Sequence, residues 1–206
     1  MDPIAVRSLV EAAAATIVAH AEELTELDRA IGDGDHGINM KRGFDALRAT
    51  LDDLAAKPLP QALQAVGMTL IMKVGGASGP LYGTLFREFG KRIGGAPTAA
   101  EAIQAFAGAI GAVQTLGKSQ PGQKTMLDVL VPVLRALEAD PQAALPGLAA
   151  TAHAAAEATV PMHAIRGRAS FLGARSVGHM DPGARSSALI VEAVTAVIVA
   201  SRNSAA

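Results

Sequence analysis

The sequence predicts an all-α fold, because helical periodicity dominates it and alternating strand patterns of useful length are absent. In the first segment, apolar side chains recur at helical spacing at Leu9, Val10, Ala13, Ile17, Ala21 and Leu24. Hydrophobic residues make up 50% of the chain but aromatic residues only 3%, so Ala, Leu, Val, Ile and Met must build the core. Alanine has the highest helix propensity and lets helices approach closely. Together these features favour an α-helical bundle.

Glycine and proline divide the chain into eight predicted helical stretches. They cover approximately residues 4–30, 38–54, 61–74, 78–93, 98–116, 124–139, 143–159 and 184–202. Thr98 and Glu101 have the spacing of a capping box, which marks the start of the fifth stretch. No domain boundary is visible, so we expect one domain over residues 1–206.

Two connections are rich in glycine, charged and hydroxyl residues, Gly117–Gln123 and Pro161–Gly183. The second is longer than most loops of a compact domain, and such length usually indicates a functional loop or disorder. Phe171, Leu172 and Val177 could anchor it, which favours the functional loop.

Composition excludes several classes of protein. The net charge of −1 gives no electrostatic basis for nucleic-acid binding. Zero cysteines exclude disulfides, thiolate metal sites and cysteine nucleophiles. No targeting segment is recognisable, and the most apolar segment, residues 188–200, contains Glu192 and is too short to span a bilayer. We therefore expect a cytoplasmic protein without nucleic-acid or membrane partners.

The most informative feature is a cluster of three carboxylates, Asp28, Asp33 and Asp35, between two predicted helices. Crowded carboxylates repel one another, and a hard cation such as Mg²⁺ or Ca²⁺ relieves that repulsion. An EF-hand is excluded, since Ile38 stands where that loop needs glycine. The alternative is a solvated turn in which Asp33 or Asp35 caps the next helix. Three acids together favour the metal site.

Two glycine-marked helix starts are candidate phosphate or nucleotide contacts. Gly75–Pro80 offers backbone N–H groups and the Ser78 hydroxyl, although this segment taken alone favours a tight turn with Ser78 as N-cap. Gly122–Asp128 has the same features and the same ordinary alternative, a helix entry. Neither follows a strand, so neither is a Walker or dinucleotide-binding loop.

The long connection carries Arg166, Arg168 and Arg175, which could pair with phosphate, although single arginines more often form surface ion pairs. A Ser–His–Asp triad lacks support, because the sequence contains no nucleophile elbow.

Four strings together resemble the L subunit, the nucleotide-binding subunit, of dihydroxyacetone kinase. They are DRAIGDGDHGINMKRGF, VGGASGPLYGTLF, GKSQPGQKTMLDVLVPV and GRASFLGARSVGHMDPGARSS, and they extend over nearly the whole chain. The resemblance implies an eight-helix antiparallel up-and-down barrel that holds a nucleotide at one end. The independent division into eight stretches agrees with that architecture.

The resemblance also implies a set of site residues. Asp28, Asp33 and Asp35 would hold two Mg²⁺ ions that bridge the phosphates of ADP or ATP. The implied nucleotide contacts are His36, Gly37, Ile38, Asn39, Ala77, Ser78, Gly117, Thr125, Met126, Arg168, Asp181, Pro182 and Gly183. Arg166 is a less certain match, and Gln123 stands where many relatives have an acid. No catalytic side chain is implied.

The implied activity is transfer of a γ-phosphoryl group to dihydroxyacetone held on a separate K subunit. ADP would stay bound and be rephosphorylated by a phosphotransferase-system M subunit, or ATP would exchange freely as a substrate. A kinase subunit for another small ketose, a noncatalytic nucleotide-binding regulatory module and a purely structural bundle are the alternatives.

Overall fold

The structure, a computed structural model, describes residues 3–203, and within them every regular element is helical. The α-helices are α1 (Pro3–Ala19), α2 (Ala21–Ile31), α3 (His36–Arg48), α4 (Leu51–Ala55), α5 (Leu59–Lys73), α6 (Ser78–Arg92), α7 (Ala99–Gly117), α8 (Leu127–Ala139), α9 (Pro141–Ala144), α10 (Leu148–Glu157) and α11 (Pro182–Asn203). Two 3₁₀ segments cover Leu145–Gly147 and Arg168–Ser176. The predicted all-α class is confirmed.

The long helices close into a ring. Each packs against the next in the order α1, α3, α5, α6, α7, α8, α10 and α11, and α11 returns to α1. Neighbours in the ring follow one another along the chain, so consecutive helices run in opposite directions. This order matches an eight-membered antiparallel barrel, with α2 extending α1 and α4 following α3.

Two of the predicted stretches are divided, and a side chain bonds to a nearby carbonyl at each division. The stretch 4–30 divides at His20, whose Nδ1 lies 2.8 Å from the Thr16 carbonyl oxygen. The stretch 38–54 divides after Arg48, where the Thr50 hydroxyl donates to the carbonyls of Ala46 and Leu47. Threonine makes the same kind of bond inside α2 and α7 without a division, so these bonds accompany the divisions and do not explain them.

Backbone geometry shortens two further stretches. Lys124 has a φ of 62°, in the left-handed region, so α8 begins at Leu127 instead of Lys124. The stretch 143–159 contains Pro146, which has no N–H to donate, and a 3₁₀ segment separates α9 from α10 there. The predicted capping box is confirmed: Thr98 Oγ1 accepts from the Glu101 N–H while Glu101 accepts from the Thr98 N–H.

Glycine allows a close helix contact between α5 and α6. A Cβ atom on Gly67 would lie 2.5 Å from the Gly83 carbonyl oxygen and 2.6 Å from the Arg87 backbone nitrogen. Elsewhere alanine, leucine and valine side chains fill the core, with Phe44 and Tyr82 as its largest buried residues. Among α6, α7, α8 and α11 apolar side chains line a partly open pocket of about 290 Å³.

By length and composition alone, α11 is the one helix among residues 3–203 that could cross a membrane. It packs against α1, α8 and α10 as a core helix of the barrel. The length and apolar composition of α11 are therefore only weak support for a membrane span.

Candidate functional site

Four connections meet at one end of the barrel and enclose a cleft of about 160 Å³. An antiparallel ring places alternate connections at the same end, which explains why segments far apart in sequence meet there. The four connections are those between α2 and α3, α5 and α6, α7 and α8, and α10 and α11. Each of the four strings on which the family resemblance was based therefore contributes residues to the cleft.

The three predicted metal ligands come together in this cleft. One carboxylate oxygen from each of Asp28, Asp33 and Asp35 lies within 4.8 Å of the others. Asp28 is buried, and its Oδ2 accepts the N–H groups of Asp35 (2.8 Å) and His36 (3.1 Å). The carboxylate thus faces the N-terminus of α3, where the positive end of the helix dipole favours an anion. The capping alternative is not supported, because the Asp35 side chain makes no cap hydrogen bond.

The basic residues close to this cluster in sequence are paired elsewhere. Arg29 bonds to Glu26, Lys41 bonds to Asp45, and Arg42 donates to Asn39 and the Lys73 carbonyl. Arg168, from the long connection, pairs with Asp33. The sequence predicts that Arg168 contacts phosphate, whereas in the structure its guanidinium lies beside Asp33, one of the three acids. The remaining negative charge on Asp28 and Asp35 suits a divalent cation with oxygen ligands.

His36 and Ser78 form the centre of a buried polar network. His36 Nδ1 lies 3.0 Å from Ser78 Oγ, and His36 Nε2 lies 2.9 Å from Ser186 Oγ. The Tyr82 hydroxyl lies 2.7 Å from Ser186 Oγ and 2.8 Å from the Ser187 hydroxyl, and donates to a backbone carbonyl at the start of α11. The network joins α3, α6 and α11 beneath the cleft, and its hydrogen bonds fix the ring plane of the imidazole.

Burial controls protonation in this network. It lowers the pKa of His36 to about 4, although Asp28 and Asp35 oppose the shift, so the imidazole is neutral at pH 7. Burial also raises the pKa of Tyr82, which therefore remains a phenol. A neutral His36 leaves the cleft's negative charge to be compensated by groups that bind there.

Asp181 is the buried acid at the start of α11. Its Oδ2 accepts the Ala184 N–H at 2.7 Å, an N-cap interaction. Burial raises the pKa of this carboxyl to about 7; the Ala184 N–H and Lys124 oppose the shift, and Asp128 and Asp28 reinforce it. Asp181 is therefore a titratable group near neutral pH in a cleft that already contains three acids.

The α5–α6 connection offers backbone groups to the cleft. Gly75 and Gly76 line it, and Gly76 has a φ of 62°. A Cβ on Gly75 would lie 2.6 Å from Asn39 Oδ1, so only glycine fits beside that amide. Ser78 is the first residue of α6 and makes no cap bond; its hydroxyl instead faces His36.

Most of the predicted nucleotide contacts line the cleft. They are His36, Ala77, Ser78, Thr125, Met126, Arg168, Asp181, Pro182 and Gly183. Gly37, Ile38, Asn39 and Gly117 do not line it. Gly37 packs against α2, Ile38 is 57% exposed, Asn39 stands behind Gly75, and Gly117 lies beside Leu81, which does line the cleft.

Sequence reasoning missed several residues at the cleft. Tyr82 follows Ser78 by four residues and so shares its helix face, which is a signal that could have identified it. Lys124 was noted only as part of a helix entry, and no sequence signal indicated that its ammonium is buried. Arg166 also lines the cleft, next to Gly167 and Arg168.

A family model described as "DAK2 domain" matches residues 30–196. The ADP-binding subunit of the PEP-dependent dihydroxyacetone kinase of Escherichia coli (strain K12) is 44% identical over 81% of this chain and 83% of its own length. The ADP-binding subunit of the PTS-dependent dihydroxyacetone kinase of Lactococcus lactis is 41% identical over 85% of this chain and 87% of its own length.

A solved structure has the same fold. It is the dihydroxyacetone kinase from C. freundii in complex with AMP-PNP and Mg²⁺, and it matches 93% of this chain with a TM-score of 0.76 and 26% sequence identity. This chain spans only 33% of the length of that kinase. The similarity therefore concerns one part of a longer protein.

Proposed function

Because the chain belongs to the DAK2-domain family of ADP-binding subunits of dihydroxyacetone kinases, we propose that it holds Mg-ADP or Mg-ATP in the cleft and transfers the γ-phosphoryl group to dihydroxyacetone bound on a K subunit. The observation that carries this proposal is the convergence of Asp28, Asp33 and Asp35 within 4.8 Å, in the same cleft as Ser78 and Arg168.

The acidic residues fit Mg²⁺. All three offer carboxylate oxygens, the ligands that Mg²⁺ prefers, and Mg²⁺ sites commonly combine a few carboxylates with substrate phosphates. We propose that the cluster holds two ions. Bound there, Mg²⁺ would neutralise phosphate charge, which is what phosphoryl transfer chiefly requires of its surroundings.

The other residues of the cleft position the nucleotide in this proposal. Gly76 and Ala77 offer backbone N–H groups near the start of α6, where the helix dipole favours phosphate. Ser78 adds a hydroxyl whose orientation is fixed by neutral His36. Arg168 leaves Asp33 and pairs with phosphate oxygens when metal occupies the acidic cluster. Met126 borders the adenine end, and Gly117 lies behind it, beside Leu81 of the cleft wall.

A set of exposed apolar side chains, here called the apolar rim, lies in or next to the segments that form the cleft and supports docking of a protein partner. Exposed large apolar side chains flank the cleft segments at Ile38, Met72, Leu116, Ile165, Phe171 and Val177. Phe171 is 89% exposed, in the 3₁₀ segment that also carries Arg168. Aromatic and aliphatic side chains of this kind form the anchors of protein interfaces. We therefore propose that the apolar rim binds the K subunit, which brings the acceptor to the phosphates.

We further propose that a phosphotransferase-system M subunit rephosphorylates the bound ADP. We also propose that the protein is cytoplasmic and that residues 1–206 belong to one domain. The names of the Escherichia coli and Lactococcus lactis relatives, PEP-dependent and PTS-dependent, support the donor. Both relatives are named as ADP-binding subunits, which supports a separate subunit carrying the acceptor.

The test is reconstitution. The purified chain is mixed with MgADP, dihydroxyacetone, a K subunit and either phosphorylated M subunit or ATP, and dihydroxyacetone phosphate is measured. We expect product that depends on this chain and on the K subunit, and the effective donor identifies the mode of nucleotide use. No product with either donor, despite MgADP binding, would indicate a regulatory module instead.

A further inference from the structure

Lys124 is a buried lysine whose charge is surrounded by backbone carbonyls. The residue is 1% exposed, and its Nζ donates to the carbonyl oxygens of Thr159 (2.9 Å), Met162 (3.1 Å) and His179. A fourth carbonyl, that of Val160, lies 3.4 Å away. An ammonium has three N–H groups, so the three closer carbonyls satisfy its donors.

These carbonyls come from both ends of the long α10–α11 connection. Thr159, Val160 and Met162 follow the C-terminus of α10, while His179 comes just before Asp181. The same joint contains two more bonds, from the Gly178 N–H to the Val160 carbonyl (2.9 Å) and from the Asp181 N–H to Thr159 Oγ1 (3.0 Å). Lys124 thus closes the base of a loop whose middle carries Arg168.

Lys124 also belongs to the α7–α8 connection, which is a separate segment of the cleft wall. Asp128 holds that connection in place by accepting the N–H groups of Gly122 and Thr125. The Gln123 carbonyl accepts the Ile165 N–H at 3.3 Å. The backbone of Lys124 is therefore anchored to one nucleotide-binding segment while its side chain anchors another.

We propose that Lys124 is a positioning residue: its ammonium joins the α7–α8 connection to both ends of the α10–α11 connection, and thereby fixes Met126, Arg168 and Asp181 around the nucleotide. The inference rests on the proposed nucleotide site. The inference attributes this positioning to the ammonium group, because converging carbonyl oxygens bind a cationic donor. An apolar side chain at the same place could not donate hydrogen bonds to them.

The experiment compares Lys124→Met with Lys118→Met. Lys118 is a matched control, since it lies in the same connection, also has a positive φ (48°) and is exposed. MgADP affinity is measured by calorimetry, and folding by circular dichroism. Loss of charge-assisted bonds at the joint should raise the Kd of Lys124→Met about tenfold or more. The Kd of Lys118→Met should stay within about twofold of the wild-type value.

Chemical rescue separates the charge from general packing. Lys124→Ala removes three methylenes and the ammonium, which n-propylammonium chloride can supply. We expect propylammonium to recover part of the MgADP affinity of Lys124→Ala. Tetramethylammonium at the same ionic strength has no N–H donors and should not do so.

Hydrogen exchange gives an independent readout. In Lys124→Met, amide exchange should increase over residues 160–181 and stay unchanged in α5. Wild-type affinity in Lys124→Met, equal rescue by both salts, or global unfolding of Lys124→Met would each overturn the inference. If wild-type protein itself fails to bind MgADP, the proposed function fails; if the wild type binds and Lys124→Met binds equally, only this inference fails.

Discussion

His36 Nδ1 lies 3.0 Å from Ser78 Oγ, so the first residue of α3 contacts the first residue of α6 beneath the cleft. The imidazole is neutral at pH 7, because burial lowers the pKa of His36 to about 4. A neutral ring can hold the serine hydroxyl without adding positive charge to the metal cluster. The contact thus couples the acidic segment to the phosphate-binding segment.

The first prediction concerns acid stability. Between pH 6.5 and 4 the unfolded chain protonates His36 while the folded chain does not, so this group lowers stability as the pH falls through that range. His36→Gln removes the titration. The melting temperature of the wild type minus that of His36→Gln, both measured in EDTA, should therefore decrease from pH 8 to pH 4. A difference independent of pH would contradict the assigned protonation state.

Asp181 should have the opposite dependence. Its folded pKa is raised to about 7 from an ordinary 3.8, so folded protein retains a proton that unfolded protein loses, and stability falls as the pH rises between these values. Asp181→Asn keeps an acceptor for the Ala184 N–H but cannot ionise. Without metal, the melting temperature of Asp181→Asn minus that of the wild type should increase from pH 4 to pH 8. In a separate measurement, the variant should bind MgADP more weakly than the wild type. An unchanged difference across that range would show that Asp181 ionises normally.

Two glycine substitutions test the packing of the barrel. Gly67→Ala places a Cβ 2.5 Å from the Gly83 carbonyl oxygen, and such overpacking typically costs roughly 1–3 kcal/mol. Gly111→Ala is the matched control inside α7, where no atom beyond the neighbouring residues and the helix's own backbone lies within 4 Å of an added Cβ. That change should stabilise the protein by about 0.5–1 kcal/mol. Urea denaturation measures both values, and equal effects at the two sites would contradict the close α5–α6 contact.

Phe171→Ser tests the proposed role of the apolar rim. Phe171 is 89% exposed, so its loss should leave folding and MgADP affinity unchanged. Loss of an aromatic interface anchor should nevertheless raise the concentration of K subunit needed for half-maximal transfer by about tenfold or more. Titration of K subunit into the reconstituted reaction measures this. Unchanged K-subunit dependence would place the docking surface elsewhere.

The sequence predicted the helical class and the acidic cluster because both are local patterns. Apolar spacing defines helices, and Asp28, Asp33 and Asp35 lie within a few residues of one another. Helix breaks were harder to predict. The first two predicted stretches divide at His20 and near Thr50, and no local pattern of apolar spacing marks either position.

The contacts between distant segments were beyond sequence reasoning alone. The pairing of Asp33 with Arg168 joins residues 135 positions apart, and the Tyr82–Ser187 contact joins residues 105 apart. Both depend on barrel closure, which composition does not specify. The buried ammonium of Lys124 was hidden for the same reason, because its acceptors are backbone carbonyls that any sequence supplies.

The central claim is that Asp28, Asp33 and Asp35 bind nucleotide through Mg²⁺, and calorimetry with Asp28→Asn tests it most directly. An asparagine can still accept the N–H groups of Asp35 and His36 while it removes one negative charge. Asp53→Asn, at an exposed acid of α4, is the control. We predict that wild type and Asp53→Asn bind ADP tightly only with Mg²⁺, whereas Asp28→Asn loses at least about tenfold in affinity for MgADP. Equal MgADP binding by Asp28→Asn and wild type would contradict the account.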